Sequence, residues 1–215
     1  MTEMTLNRLR AVVIAMAPVV LLGGFLTLPY ISNYMDAKAL AGAVGAAPAR
    51  TMWAAIVLGG AMGLILAAVF AVRLLLRDAG ENRWSPFAVF LIAVGGTLLV
   101  AITSGVEGVA LAGQDRVKIA TAMNDWLWVQ FAGGALFGLG WLALAAAIYR
   151  ARVLGPQLTW LVVVAIVISV IANFVPFGWA LYVIGVSAIV GMWPLAYRVW
   201  APSRQARPAA GMAHA

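Results

Sequence analysis

Hydrophobic residues dominate six stretches of this chain, and polar residues cluster in the intervals between them. The stretches cover residues 11–32, 51–76, 86–112, 126–149, 156–174 and 177–199. Each is close to the ~20 residues that an α-helix needs to cross a hydrocarbon core. A helix satisfies its own backbone hydrogen bonds in lipid. The pattern therefore predicts an all-α fold, a polytopic membrane protein built as a six-transmembrane-helix bundle.

Composition supports a membrane protein and excludes several kinds of chemistry. Of the 215 residues, 65% are hydrophobic and 10% are charged, whereas a soluble domain carries about 25% charged residues. The first apolar stretch is longer than the ~7–15 residues of a signal-peptide core, so we expect a retained helix. The chain has no Cys and one His, His214 near its end. Cys and His ligate most haem, zinc and di-iron centres, so we expect no metal and no cofactor.

The distribution of basic residues predicts the orientation of the helices. Ten of the 14 Lys and Arg residues lie in one set of intervals, and four lie in the other. The larger set is Arg8, Arg10, Arg73, Arg77, Arg83, Arg150, Arg152, Arg198, Arg204 and Arg207; the smaller set is Lys38, Arg50, Arg116 and Lys118. Cytoplasmic loops carry the excess of Lys and Arg, so both termini are expected in the cytoplasm. The outer loops are then residues 33–50, 113–125 and 173–176.

The chain is expected to contain one domain and a tail. Residues 1–200 form the single six-helix transmembrane domain, and residues 201–215, rich in Ala, Pro and Arg, form a mobile cytoplasmic tail. The tail either contacts anionic lipid or only adds to the excess of basic residues on the cytoplasmic side. The basic residues are distributed as in a membrane topology. The net charge of +7 therefore does not indicate binding to nucleic acid.

Glycine pairs recur at similar intervals, at Gly23-Gly24, Gly59-Gly60, Gly95-Gly96 and Gly133-Gly134. Small residues let helices approach closely in lipid, so the favoured interpretation is helix packing. The alternative is that the missing side chains leave a cavity.

Glu107 is the carboxylate set inside a long apolar stretch, and ionisable residues in membrane helices are by default candidates for function. With Glu107 as the catalytic acid, we predict substrate-binding residues towards the outer side. They are Tyr30, Trp53, Thr103, Asp125, Trp126, Trp128, Gln130, Asn173, Trp179 and Tyr182. Glu107 could instead make a structural hydrogen bond to Gln130 or Tyr182, and Asp125 could cap the helix that follows it.

Three pieces of the sequence carry a resemblance: AKALAGAVGAAPAR, GVEGVALAG and the polar loop before the fourth stretch. In these the chain resembles a loose group of uncharacterised six-span membrane proteins of high-GC bacteria. In its size, its aromatic residues and its intramembrane acid, it also looks like the small integral-membrane terpene cyclases. Those usually have one more span and a second acid late in the chain, whereas the last acid here is Asp125. The substrate-binding subunits of energy-coupling-factor vitamin transporters share the six spans.

Together these features predict a cofactor-free enzyme of the bacterial cytoplasmic membrane. It would cyclise or isomerise an apolar, isoprenoid-like substrate by acid catalysis, with indole faces stabilising cations. The alternative is a non-enzymatic binding or transport subunit whose site opens to the outer side. The expected partners are membrane lipid and an apolar small molecule, but not nucleic acid, while a homo-oligomer or a membrane partner subunit stays open.

Overall fold

A computed structural model describes the backbone of residues 3–33, 36–111 and 116–201, and the side chains there except at positions 3, 37, 101–127 and 130. The described residues form seven α-helices. These are α1 (Glu3–Thr27), α2 (Ala37–Ala46), α3 (Pro48–Asp78), α4 (Trp84–Leu111), α5 (Arg116–Ala151), α6 (Pro156–Ala172) and α7 (Trp179–Trp200). They include no β-sheet, only an isolated bridge between Asn33 and Phe177. The prediction of an all-α fold is confirmed.

Each of the six apolar stretches corresponds to one long helix, and most bounds differ from the prediction by a few residues. The interval 33–50, predicted as a loop, is the main exception because it contains α2. Asp36 caps this helix, since its side chain accepts hydrogen bonds from the backbone amides of Lys38 and Ala39. The alanine-rich sequence of α2 has high helix propensity, which a search for long apolar stretches does not detect.

The start of α5 is the second correction. This helix begins at Arg116, well before the predicted start at Trp126. Asp125 therefore lies inside α5, and the interpretation of Asp125 as its N-cap was wrong. Residues 116–125 include Arg, Lys, Ala and Met, which are good helix formers, although this segment is too polar to extend the apolar stretch.

The six long helices form a closed ring. Each packs against the next along the chain, and α1 also packs against α7. The ring has two ends. The arginine end carries the α3–α4 and α5–α6 connections together with Arg8, Arg10, Arg73, Arg77, Arg83, Arg150, Arg152 and Arg198. The other end, the α2 end, carries α2, which contacts α3, α4 and α5.

The hydrophobic core lies in the half of the ring near the arginine end. All six long helices contribute side chains to it, including the fully buried Ile14, Val72, Ile92, Ile148 and Leu195. Towards the α2 end, the buried residues that the structure describes are mostly small. They include Ala54, Ala61, Ala172 and Ala180. Large buried side chains therefore predominate near the arginine end of the ring, and small ones predominate towards the α2 end.

Glycines also allow α4 and α5 to approach each other closely. A Cβ atom at Gly95 would collide with the backbone nitrogen of Phe137, and a Cβ atom at Gly140 would lie 2.7 Å from the side chain of Ile92. The packing interpretation of Gly95 is thereby confirmed. Gly59 and Gly60 differ, because a Cβ atom there would meet nothing within 4 Å.

Four helical segments among the described residues are long and apolar enough to span a membrane. They are Met4–Thr27, Pro48–Asp78, Phe131–Ala151 and Trp179–Trp200. Two shorter apolar segments, Trp84–Val100 and Pro156–Ala172, belong to α4 and α6. The first is only the part of α4 whose side chains are described, since the helix itself continues to Leu111. These features are those of a helical membrane protein.

Candidate functional site

Six of the predicted site residues have described side chains: Tyr30, Trp53, Trp128, Asn173, Trp179 and Tyr182. The other five lie outside the described side chains. They are Thr103 and Glu107 on α4, and Asp125, Trp126 and Gln130 on α5. The prediction that Glu107, Gln130, Asn173 and Tyr182 share one space therefore stays a prediction.

The backbone shows at which level of the ring Glu107 lies. A Cβ atom at Gly96 of α4 would lie 2.8 Å from the sulfur of Met62 on α3, so these two positions face each other. The two helices are antiparallel neighbours, so eleven residues along α4 to Glu107 correspond to eleven residues back along α3 to Thr51. Helix α3 begins at Pro48. The candidate acid therefore lies at the α2 end of the ring, level with the first turn of α3.

Arg50 lies in that same first turn of α3 and was not among the site residues predicted from the sequence. Its Nε donates a hydrogen bond to the carbonyl of Thr27 at 2.8 Å, and its second terminal nitrogen donates one to the carbonyl of Leu26 at 3.1 Å. These carbonyls end α1 and have no partner within their own helix. The guanidinium therefore ties α1 to α3 and places a positive charge near the level of Glu107.

Three predicted aromatic or amide side chains surround the α6–α7 turn. The rings of Phe177 and Trp179 stack with centroids 6.4 Å apart. The Tyr30 ring approaches within 3.4 Å of the position that a Cβ atom at Gly178 would take. A larger residue at Gly178 would also collide with the carbonyl oxygen of Ile31. The turn therefore packs against the α1–α2 connection, and Tyr30 lies beside Gly178, the residue that precedes Trp179.

Asn173 lies on the α5 side of the same turn. Its amide nitrogen is 3.2 Å from the position that a Cβ atom at Gly134 would take. Nearby, the rings of Phe131 and Phe174 meet edge to face at 5.9 Å. Gln130 precedes Gly134 by about one helical turn. The α5–α6 contact therefore brings Asn173 towards the stretch of α5 that contains Gln130.

Trp53 and Trp128 do not join that group by any described contact. Their side chains are 59% and 80% exposed, and Trp53 shares its face of α3 with the exposed Ile56. Membrane interfaces favour exposed indole rings at helix ends. These two residues fit a boundary between membrane and water, whereas Tyr182 is half-buried on α7.

Glu81, in the α3–α4 connection, was missed by the sequence analysis. It is 8% exposed, and it accepts hydrogen bonds from the backbone amides of Arg83 at 2.9 Å, Trp84 at 2.7 Å and Ser85 at 2.9 Å. Burial of this carboxyl raises its pKa, but the hydrogen bonds from the Trp84 amide, from Ser85 and from the Arg83 amide outweigh burial, so the pKa is lowered. The acid caps α4, and its position just before a helix that begins Trp-Ser-Pro was the available sequence signal.

Comparisons of the chain with protein-family models, with curated proteins and with solved structures find no match. No role can be carried over to Glu107 or to any other residue from a relative. Among the described residues, no group of three His, Cys, Asp or Glu side chains could hold a metal ion.

Proposed function

We propose that this chain is a six-span protein of the bacterial cytoplasmic membrane, with both termini in the cytoplasm. The ring of six long helices supports six spans, since each contains one apolar stretch. The collection of arginines at one end of the ring supports a cytoplasmic location for that end. Trp84, Trp193 and Trp200 lie towards the same end and fit its interface with the membrane.

For its activity we propose that the α2 end binds an apolar, isoprenoid-like small molecule and cyclises or isomerises it by acid catalysis. The observation that carries this proposal is the gathering of Tyr30, Trp179 and Asn173 around the α6–α7 turn, at the end of the ring to which α4 brings Glu107. Aromatic faces stabilise a carbocation, and a protonated carboxyl can start its formation. Glu107 is the proposed proton donor, and Asn173 the proposed orienting amide.

The second candidate is a non-enzymatic binding or transport subunit. The exposure of Tyr30, Trp128 and Trp179 favours it, because an open rim of aromatic residues suits a ligand that enters and leaves unchanged. Both candidates place an apolar small molecule at the α2 end. They differ in whether Glu107 must give up a proton.

Native mass spectrometry of gently purified protein tests the shared part of both candidates. We expect a co-purified apolar small molecule whose occupancy falls in Tyr30→Ala and Trp179→Ala. Trp160→Ala is the matched control, since Trp160 is equally exposed but lies on α6 near the arginine end. Equal occupancy in all three variants, or no bound small molecule in the wild type, contradicts the proposal.

A further inference from the structure

Two cavities meet at Trp84, at the arginine end of the ring. The first has a volume of about 260 Å³ and is lined by the α3–α4 connection together with Arg150 at the end of α5. The second has a volume of about 340 Å³ and is an apolar groove between α4 and α5, lined by Phe87 and Leu91 on one side and Leu139 and Leu142 on the other. Trp84 lines both. The two cavities are therefore adjacent, and together they offer a surface with a polar end and an apolar end.

The polar end carries two arginines that have no ion-pair partner among the described residues. Arg83 and Arg150 line it, and neither forms an ion pair within the described part of the chain. Glu81 also lines this cavity, but both of its carboxylate oxygens accept hydrogen bonds from the amides that begin α4. Glu81 keeps its negative charge, so this lining carries two positive charges and one negative charge, a net charge of +1.

Trp84, which lines both cavities, is also in contact with Arg83. Its indole nitrogen is buried and has no hydrogen-bond partner, which is uncommon for a buried polar atom. The Arg83 guanidinium lies 6.0 Å from the centre of the same ring. This contact with the indole ring holds the Arg83 guanidinium beside Trp84, the residue that the two cavities share, and a guanidinium is suited to the oxygen atoms of an anion.

The geometry points to a binding site for one anionic phospholipid. The lipid phosphate would lie between Arg83 and Arg150, and an acyl chain would lie in the groove between Phe87 and Leu142. Arginine binds phosphate through paired, charge-assisted hydrogen bonds. A free anion would leave the apolar groove unused, and an apolar partner helix would leave the two arginines unpaired. Only an amphipathic anion matches both ends of the surface.

The site rests on the membrane location proposed above but is separate from the small-molecule site. In that topology, the arginine end lies at the cytoplasmic leaflet, whose anionic lipids attract clustered Arg residues. Phe87, Leu139 and Leu142 are exposed on the outside of the ring, so a lipid can reach them from the bilayer. The small-molecule site lies at the opposite end and does not depend on Arg83 or Arg150, so either proposal can fail while the other holds.

Native mass spectrometry with defined lipids tests the site. The purified protein is titrated with phosphatidylglycerol and, separately, with phosphatidylcholine of the same acyl chains. We expect tighter binding of phosphatidylglycerol, and a loss of at least about tenfold in its affinity when Arg83→Gln and Arg150→Gln are combined, the size expected for charge-assisted contacts. The matched control combines Arg10→Gln with Arg73→Gln, which removes the same charge from the same end outside the cavity. Equal losses in the two pairs overturn the proposal, because they indicate general attraction only.

A groove variant distinguishes a lipid from a free anion. Ala146 lines the apolar cavity and is half-buried, so Ala146→Phe fills the groove while both arginines are retained. We expect this variant to bind phosphatidylglycerol more weakly than the wild type, with an unchanged melting temperature in lipid-free detergent. Unchanged phosphatidylglycerol binding, together with competition by millimolar inorganic phosphate, overturns the lipid assignment in favour of a free-anion site. Loss of a dimer in Ala146→Phe with unchanged lipid binding overturns it in favour of a second copy of the chain.

Discussion

At the scale of single residues, Glu81 connects charge to the stability of α4. Its carboxylate receives three backbone hydrogen bonds, and losing a cap of this kind costs about 0.5–2 kcal/mol. We expect Glu81→Gln to lower the thermal stability of the purified protein at pH 7. Asp78→Asn is the matched control, because Asp78 is exposed and pairs only with the exposed Arg77. A control that loses as much stability as Glu81→Gln would contradict the capping role.

The lowered pKa of Glu81 also predicts how this effect depends on pH. Because the folded pKa lies below the ordinary value of about 4.3, the unfolded chain binds a proton more readily than the folded one. The stabilisation is therefore complete above the ordinary pKa and is lost as the pH falls through the folded pKa. The difference in stability between wild type and Glu81→Gln should stay constant as the pH falls from 7 towards the ordinary pKa of about 4.3, and should shrink only below it. A difference that grows on acidification would show that the sign is wrong.

Replacement by alanine is expected to change stability in opposite directions at Gly95 and at Gly60. Gly95→Ala places a Cβ atom against the backbone of Phe137 on α5, so we expect a loss of ~2 kcal/mol or more, as overpacking commonly costs. Gly60→Ala places a Cβ atom in open space on α3, where alanine is favoured over glycine by about 1 kcal/mol in a helix. Thermal unfolding of both variants measures the contrast. Equal behaviour would contradict the close α4–α5 approach.

Glu107→Gln decides between the two proposed functions. The substitution keeps shape and hydrogen bonding but removes the proton. If Glu107 is the acid, turnover of the co-purified molecule should fall by at least about a hundredfold, the lower end for general acid catalysis, while folding and ligand occupancy stay normal. Full turnover in this variant would reject the acid role. Unchanged release of an unmodified ligand would favour the binding or transport subunit.

At the scale of helices, Arg50 holds the end of α1 to the start of α3. Arg50→Gln removes two hydrogen bonds to carbonyls of α1, each worth about 1 kcal/mol. We expect faster amide hydrogen exchange in the last turn of α1 and little change at the arginine end of the ring. Lys38→Gln on the exposed face of α2 is the matched control. If both variants exchange alike, Arg50 does not hold α1 in place.

The helices differ in how well the sequence predicted them. Six helices followed from apolar stretches of about 20 residues, because that length is a strong signal in itself. Helix α2 and the start of α5 did not, since their stability comes from a cap at Asp36 and from helix propensity rather than from hydrophobicity. The level of Glu107 was predictable, but the face on which Trp53 lies was not. That face depends on which helices are neighbours in the ring, and the sequence alone does not determine this order.

At the scale of the whole molecule, the two ends of the ring have different character. The arginine end combines the large-residue core with the cavity beside Arg83 and Arg150. The α2 end combines close glycine contacts with exposed aromatic residues around the α6–α7 turn. In the proposed topology, these ends face the cytoplasm and the outer side, with one site proposed at each. The orientation of the ring is therefore the central claim, and both proposed sites depend on it.

Cysteine labelling in intact cells tests this orientation directly. The chain has no Cys, so a single cysteine reports one position without background. Ala46 at the end of α2 and Asn82 between α3 and α4 are both exposed and lie at opposite ends. We predict that Ala46→Cys reacts with a membrane-impermeant maleimide in intact cells, and that Asn82→Cys reacts only after the cells are permeabilised. Labelling of Asn82→Cys but not of Ala46→Cys in intact cells would contradict the orientation, and equal labelling of both would contradict a membrane-spanning ring.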